Sequence, residues 1–469
     1  MRFTKFGKAL SMGVLSAGII FGVTSCVESY SVGFLYVTGT VTASSGTSGI
    51  ITGYKIDHNT GVLTAINGLP VSSGGANPVR AVLTQGSRFL YVLNRGVNNA
   101  GNGDCYGVGS AECQNANITE YAVGGNGILT PQETFYTQGQ NPFRLIADST
   151  GSYLMVLDHD APDNASPSNT DNCARALGGG VTTCGDITVF QINSTTGRLS
   201  LVVNAQVTAA NGSALTYFPV PANPVDFVLS GGFVLTLTGA PTPTSYPYTG
   251  GTSVWPYSYS SSSGQLTLSQ NGLQLLVAGN TSGGSSPMKA GTAIVNANSV
   301  IYVLDNEPVT ITFNGNSTTS QSQILPYTTA TGGALQAEPS GVIPDDPTLA
   351  DPIQILVESK GKFVYVANQG NNTTGVNPES GIAGYFLTTA PSYQLSFIAE
   401  EPFGSGSGPQ CIVEDPSNQF IYEANEYDST VTGRLLDPNT GDLNDLRSGT
   451  GTYTLQGQPT WCLVDGRTG

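Results

Sequence analysis

Apolar positions along this chain come in short alternating runs, and the runs follow one another in a fixed order. A leading Pro opens a first apolar run, a tight turn follows, and a second run, almost wholly apolar, ends on Asn or Asp. The pattern stands out in "NPVRAVLTQGSRFLYVLN" (77–94), "NPFRLIADSTGSYLMVLD" (141–158), "DPIQILVESKGKFVYVAN" (351–368) and "GPQCIVEDPSNQFIYEAN" (408–425). The second run recurs seven times, as "FLYVTG" (34–39), "FLYVLN" (89–94), "YLMVLD" (153–158), "FVLTLT" (233–238), "IYVLDN" (301–306), "FVYVAN" (363–368) and "FIYEAN" (420–425). Runs of this length, rich in Val, Leu, Tyr and Phe and bounded by turn residues, predict β-strands.

A third alternating strand follows each of these, for example "ITEYAV", "ITVFQI", "GIAGYFL" and "TVTGRLL". A turn of the form TG-x-L then follows, with glycine at Gly61, Gly127, Gly197, Gly264, Gly333 and Gly441. Only the sixth copy, "APSYQLS", lacks the glycine, which elsewhere supplies the positive φ that a short hairpin loop requires. The unit is therefore four antiparallel strands, and seven units predict an all-β, seven-bladed β-propeller. The lack of helical patterns between strands argues against a parallel sheet; a β-sandwich is the competing all-β architecture. The chain ends on "GQPTWCLVDGRTG" (457–469), a Pro-led first strand without its second, while "FLYVTG" near the other terminus is a second strand without its first. The seventh blade is thus expected to close the ring by pairing the two ends, which removes exposed sheet edges.

Composition sharpens this picture. Charged residues are only 10% of the chain and Gly is abundant, but the recurring apolar runs exclude disorder. Residues 1–25 read as an export leader, with Arg2, Lys5 and Lys8 before the apolar "ALSMGVLSAGIIFGV". "GVTSC" resembles a bacterial lipobox, which makes Cys26 the expected lipidation site and 26–33 a tether to a single propeller domain over 34–469; a plain signal peptide or short anchor is the alternative. The protein is therefore expected outside the cytoplasm, held at the membrane only by its N-terminal lipid, and monomeric. Cleavage would remove three basic and no acidic residues, taking the formal charge from −16 to −19. Nucleic acid is not an expected partner, because binding it depends on clustered Lys and Arg.

Six further cysteines allow fifteen pairings. Spacing favours Cys105 with Cys113 and Cys173 with Cys184, which leaves Cys411 with Cys462, a pair placed to staple adjacent inner strands where the ring closes. A metal site is the competing reading, but the spacings lack CxxC pairs and nearby His.

In a propeller the innermost strands surround a channel, and the second residue after the leading Pro is polar in four copies: Arg80, Arg144, Asp226 and Gln354. Strand two ends nearby with Asn94, Asp158, Asp305, Asn368 and Asn425, followed by His159, Glu307 and Glu426. Such a funnel suits a small polar or anionic ligand, with the arginines holding a carboxylate; an envelope protein docking on the loop-rich rim is the other expected partner. Solvated channel residues with no ligand would look similar.

The Pro-led strand, "FLYVLN" or "FVYVAN", and "IDHNTGVLT" together resemble the lactonase family of seven-bladed propellers, which includes 6-phosphogluconolactonase-like proteins and YVTN surface-layer repeats. The resemblance covers almost the whole chain after the leader. It implies, as an alternative to binding, hydrolysis of a sugar lactone or related ester. Arg80 or Arg144 would then stabilise the oxyanion, and Asp158, His159 or Glu426 would activate water. It also implies His shortly after the leading Pro, where this chain has Arg, Asp, Gln or Cys. No cofactor is expected; the carboxylate run "DHDAPDN" (158–164) is the only candidate for Ca²⁺, and its spacing matches no established loop.

Overall fold

A computed structural model describes residues 30–466 apart from 44–45, 85, 87, 98–115, 163–170, 179–180, 182, 240–251, 270–273, 276–290, 298–299, 314, 339–341, 371–378, 389–393, 448 and 450. The expected leader, Cys26 and the Cys105–Cys113 pair lie outside these residues.

Seven antiparallel sheets follow one another around a channel. Blade 1 is Pro78–Leu83, Phe89–Asn94, Asn117–Val123 and Leu129–Phe135. Blade 2 is Gln140–Ala147, Tyr153–Asp160, Cys184–Ile192 and Leu199–Leu201. Blades 3 to 6 repeat the order from Pro224–Ser230, Gly291–Ala297, Pro352–Val357 and Pro409–Glu414. Blade 7 joins Gln458–Asp465 to Ser31–Ala43, Gly46–Asp57 and Leu63–Ala65, with Val37 opposite Cys462 and Phe34 opposite Asp465. Pairing of the two ends is thus realised, over Phe34–Thr40.

Short additions depart from the four-stranded expectation. Five blades carry a brief fifth strand on the third, blade 4 carries the hairpin Val309–Phe313/Asn316–Ser320, and a helix, Asp171–Leu177, stands in the blade 2 loop. Cys184 at the start of the next strand pins that helix through Cys173, and Cys411 bonds Cys462. No helix among the described residues is long and apolar enough to cross a membrane.

The repeat motifs turn out to join one blade to the next. The Tyr of the "YV" strand donates its hydroxyl to the carbonyl of the TG-turn glycine in the following blade. Tyr36 reaches Gly127 at 2.8 Å, Tyr91 reaches Gly197 at 2.5 Å, Tyr365 reaches Gly441 at 2.7 Å and Tyr422 reaches Gly61 at 2.7 Å. The aromatic residue two positions earlier covers the same turn. A Cβ on Gly61 or Gly441 would stand 2.4 or 2.5 Å from a ring carbon of Phe420 or Phe363. The turn glycine is therefore demanded twice, by its positive φ and by the ring beneath it. Gly441→Ala (φ 79°) should destabilise the fold by about 2 kcal/mol in chemical denaturation. Gly449→Ala, at φ 78° but with nothing within 4 Å of the new Cβ, should cost about half as much. Equal losses would show that the interblade contact is not what selects glycine.

Candidate functional site

The channel mouth is built by two local devices, the first on five blades and the second on all seven. First, the residue before the leading Pro takes left-handed φ: Asn77 (51°), Asn141 (56°), Asn223 (58°), Asp351 (57°) and Gly408 (72°). Asn, Asp and Gly are the residue types that adopt this conformation most readily. Second, strand pairing skips one residue just after the Pro, a β-bulge that shifts the register at Val79, Phe143, Val225, Thr292, Ile353, Gln410 and Thr460. The carbonyl of the left-handed residue then accepts the backbone N–H of the residue following strand two. Arg95 donates to Asn77, Gln369 to Asp351 and Glu426 to Gly408. Sequence-distant side chains are thereby brought to one rim.

There they enclose a cavity of about 380 Å³. Its wall on blades 1 and 2 is Val79, Arg80, Arg95, Phe143, Arg144 and His159; facing it are Ile353, Gln369, Gln410, Glu426, Pro459 and Thr460 from blades 5, 6 and 7. Among the described residues, three guanidinium groups thus line a space with a single carboxylate, in a chain whose formal charge is −16.

Each charged group has a defined setting. Arg80 lies over the Trp461 indole with its guanidinium carbon 3.6 Å from the ring centroid. Burial disfavours its charge and the nearby Arg144 adds to this, while Asp226 opposes both. Arg144 donates through Nε to Asp226 at 3.1 Å. His159 is stacked on Phe143, with centroids 3.8 Å apart. Burial, followed by the charges of Arg95 and Arg144, lowers its pKa to about 3, so the ring is neutral at physiological pH. Glu426 accepts from the Gln369 amide at 2.8 Å and from the Gln410 amide.

Four of the residues expected for catalysis, Arg80, Arg144, His159 and Glu426, are therefore brought together, and Asp158 is not. Asp158 is fully buried inside blade 2, opposite Asp186, accepting from Thr137 at 2.9 Å and Thr188 at 3.4 Å. Burial pushes its carboxyl well above the usual carboxylate range, and it takes no part in the mouth.

The residues expected to bind ligand also lie behind the mouth, tying strands together. Asn94 donates to Asn117 at 2.9 Å and accepts from Ser73 at 2.6 Å; Asp305 accepts from Gln323 at 2.6 Å; Asn425 donates to Thr430 and Thr432, both at 3.1 Å. Asn368 is likewise fully buried. Asp226 holds Arg144 and the backbone N–H of Ile294 at 3.0 Å, and Gln354 accepts the N–H of Ile412 at 3.0 Å. For the residues that end strand two, the physical reason is strand alternation: a residue at the strand end faces the blade, and the next one faces the rim. Applied throughout, that rule would have found Arg95 and Gln369 beside His159 and Glu426. Gln410 and Thr460 needed the bulge, which no residue type announces.

Glu307 does not line the cavity, and His58, on the far face, is stacked on Tyr30 at 4.5 Å. Among the described residues, no group of three or more His, Cys, Asp or Glu is arranged to hold a metal ion.

Fold and mouth together define a seven-bladed propeller with an arginine-walled pocket at one end of its channel. Residues 310–461 match the family model described as lactonase, 7-bladed β-propeller. Among solved structures, similar folds include the periplasmic gluconolactonase of Pseudomonas aeruginosa, at 15% identity and a TM-score of 0.59, covering 92% of this chain and 99% of that one. A candidate 6-phosphogluconolactonase from Bacteroides fragilis is similar at 14% identity and a TM-score of 0.59, covering 94% and 99%. No curated protein matches the chain in sequence.

Proposed function

We propose that the protein binds a small, hydroxyl-bearing organic anion at the channel mouth, as an exported module tethered through Cys26. The observation that carries this reading is the convergence of Arg80, Arg95 and Arg144 on one cavity, with Gln369, Gln410 and Glu426 opposite. The arginines suit a carboxylate or phosphate, and the amides and the carboxylate suit hydroxyl groups. Two disulfides fit an oxidising compartment.

Lactone hydrolysis is the second reading, favoured by the family match over residues 310–461. It needs a base: His159 is a weak one, with its pKa lowered to about 3, and Glu426 is already engaged by the Gln369 and Gln410 amides. Binding without turnover therefore fits the geometry better.

Titration calorimetry with gluconate, 6-phosphogluconate and glucose, alongside pH-stat assays with gluconolactone, tests both readings. Saturable binding of at least one anion, none of glucose, and lactone opening no faster than the spontaneous rate are expected. Because His159 stays neutral, gluconate affinity should be flat between pH 5 and 8 instead of rising below pH 6. Lactone turnover that disappears in Glu426→Gln would establish the hydrolase instead, and no binding of either anion would remove the site.

A further inference from the structure

The Cys411–Cys462 disulfide stands directly behind the mouth. Cys411 follows Gln410, whose amide donates to Glu426. Cys462 follows Trp461, which carries the Arg80 guanidinium on its ring face at 3.6 Å and donates its indole N–H to the Ala81 carbonyl at 3.1 Å. One covalent bridge thus joins the strand that holds the cavity's carboxylate to the strand that supports Arg80.

From blade 2 to blade 6, neighbouring inner strands are linked near the mouth by non-covalent contacts. Arg144 pairs with Asp226 at 3.1 Å, Asp226 accepts from Ile294 at 3.0 Å, Thr292 donates to the Pro352 carbonyl at 3.0 Å, and Gln354 accepts from Ile412 at 3.0 Å. Between blades 6 and 7 the disulfide takes this place, with Cα atoms 5.8 Å apart. The junction is also special in its connectivity. In blades 1 to 6 a turn joins the inner strand to strand two of its own blade, whereas Gln458–Asp465 meets Ser31–Ala43 only by strand pairing. Its placement against blade 6 therefore lacks a constraint that the other inner strands have. Cys411 and Cys462 are 0% and 2% exposed, so the bridge is set when the protein folds and is shielded from exchange afterwards.

We propose that this disulfide is a positioning element of the mouth, fixing the Gln410–Glu426 side of the cavity relative to the Trp461–Arg80 side. The proposal rests on the reading of the mouth as an anion site. Without the bridge, Gln458–Asp465 shifts against Pro409–Glu414, Trp461 moves under Arg80, and the anion-binding geometry loosens although the blades persist.

The test uses the chain from residue 27 onward without its lipid, in a Trp255→Phe background so that Trp461 is the only tryptophan and can be excited selectively over tyrosine. Two clasp variants, Cys411→Val with Cys462→Ala and Cys411→Ala with Cys462→Ala, are compared with a loop control, Cys173→Ala with Cys184→Ala. Gluconate and 6-phosphogluconate affinities are measured by calorimetry, Trp461 accessibility by acrylamide quenching, and folding by circular dichroism. The expected result is that a clasp variant remains folded, loses at least fivefold in anion affinity and gains in Trp461 quenching, while the loop control matches the parent. A smaller loss of affinity overturns the proposal, as does an equal loss in the loop control. Failure of both clasp variants to fold also overturns it, because the bridge would then be a folding requirement. If the parent binds neither anion, the reading of the site has failed separately. Trp461 quenching then decides the positioning claim alone: a rise confined to the clasp variants supports it, and no rise overturns it.

Discussion

Arg80→Met is expected to weaken anion binding at the mouth by about a hundredfold, close to 3 kcal/mol, without lowering the stability of the protein. The Arg80 charge is costly where it stands. Burial and Arg144 both disfavour it, and the salt bridge that Asp226 makes is to Arg144. Met keeps the flexible stem against Trp461 and removes the desolvated cation, so the unfolding midpoint should equal or exceed that of the wild type. Arg144→Met should behave differently. It takes the guanidinium from Asp226, which is 9% exposed, and should cost about 1–3 kcal/mol of stability as well as affinity. Calorimetry with 6-phosphogluconate and guanidinium denaturation of both variants check this. Equal destabilisation by the two substitutions would mean that Arg80 is a structural residue, and the anion-site reading would lose its main support.

Removing the Cys411–Cys462 bridge should lower stability by about 4 kcal/mol, against about 3 kcal/mol for Cys173–Cys184. The chain-entropy argument gives this order because the first bridge spans 51 residues and the second 11. Position acts in the same direction. The short bridge pins a helix in a blade 2 loop, whereas the long one secures the junction where the ring is closed by strands from opposite ends of the chain. Guanidinium denaturation of the two paired Cys→Ala variants measures both losses. A larger loss from the loop bridge would mean that strand pairing alone holds blade 7 closed.

Much of the fold was legible because its determinants are local and repeated. The alternation of "FLYVLN" and "FVYVAN", the glycine of the TG turn and the Pro that opens six of the seven inner strands each bias a few consecutive residues. Seven repetitions made the blade count readable, and the incomplete ends made the closure readable. The functions of those motifs were less legible. Nothing in "YV" or "TG" announces that the Tyr hydroxyl of one blade meets the glycine carbonyl of the next, since that contact spans 76 residues for Tyr365 and Gly441 and 361 for Tyr422 and Gly61.

The sequence by itself determined the strands, their order, the number of blades and the polar character of the channel, and it singled out Arg80, Arg144, His159 and Glu426. Tertiary structure alone decided which polar residues share a space. Asp158 and Asn94 turn into their blades, where buried polar groups must find hydrogen-bond partners, while Arg95, Gln369 and Gln410 turn to the rim. The reason lies in the register: strand alternation and a one-residue bulge send adjacent polar residues to opposite sides, and a bulge is fixed by pairing with another strand.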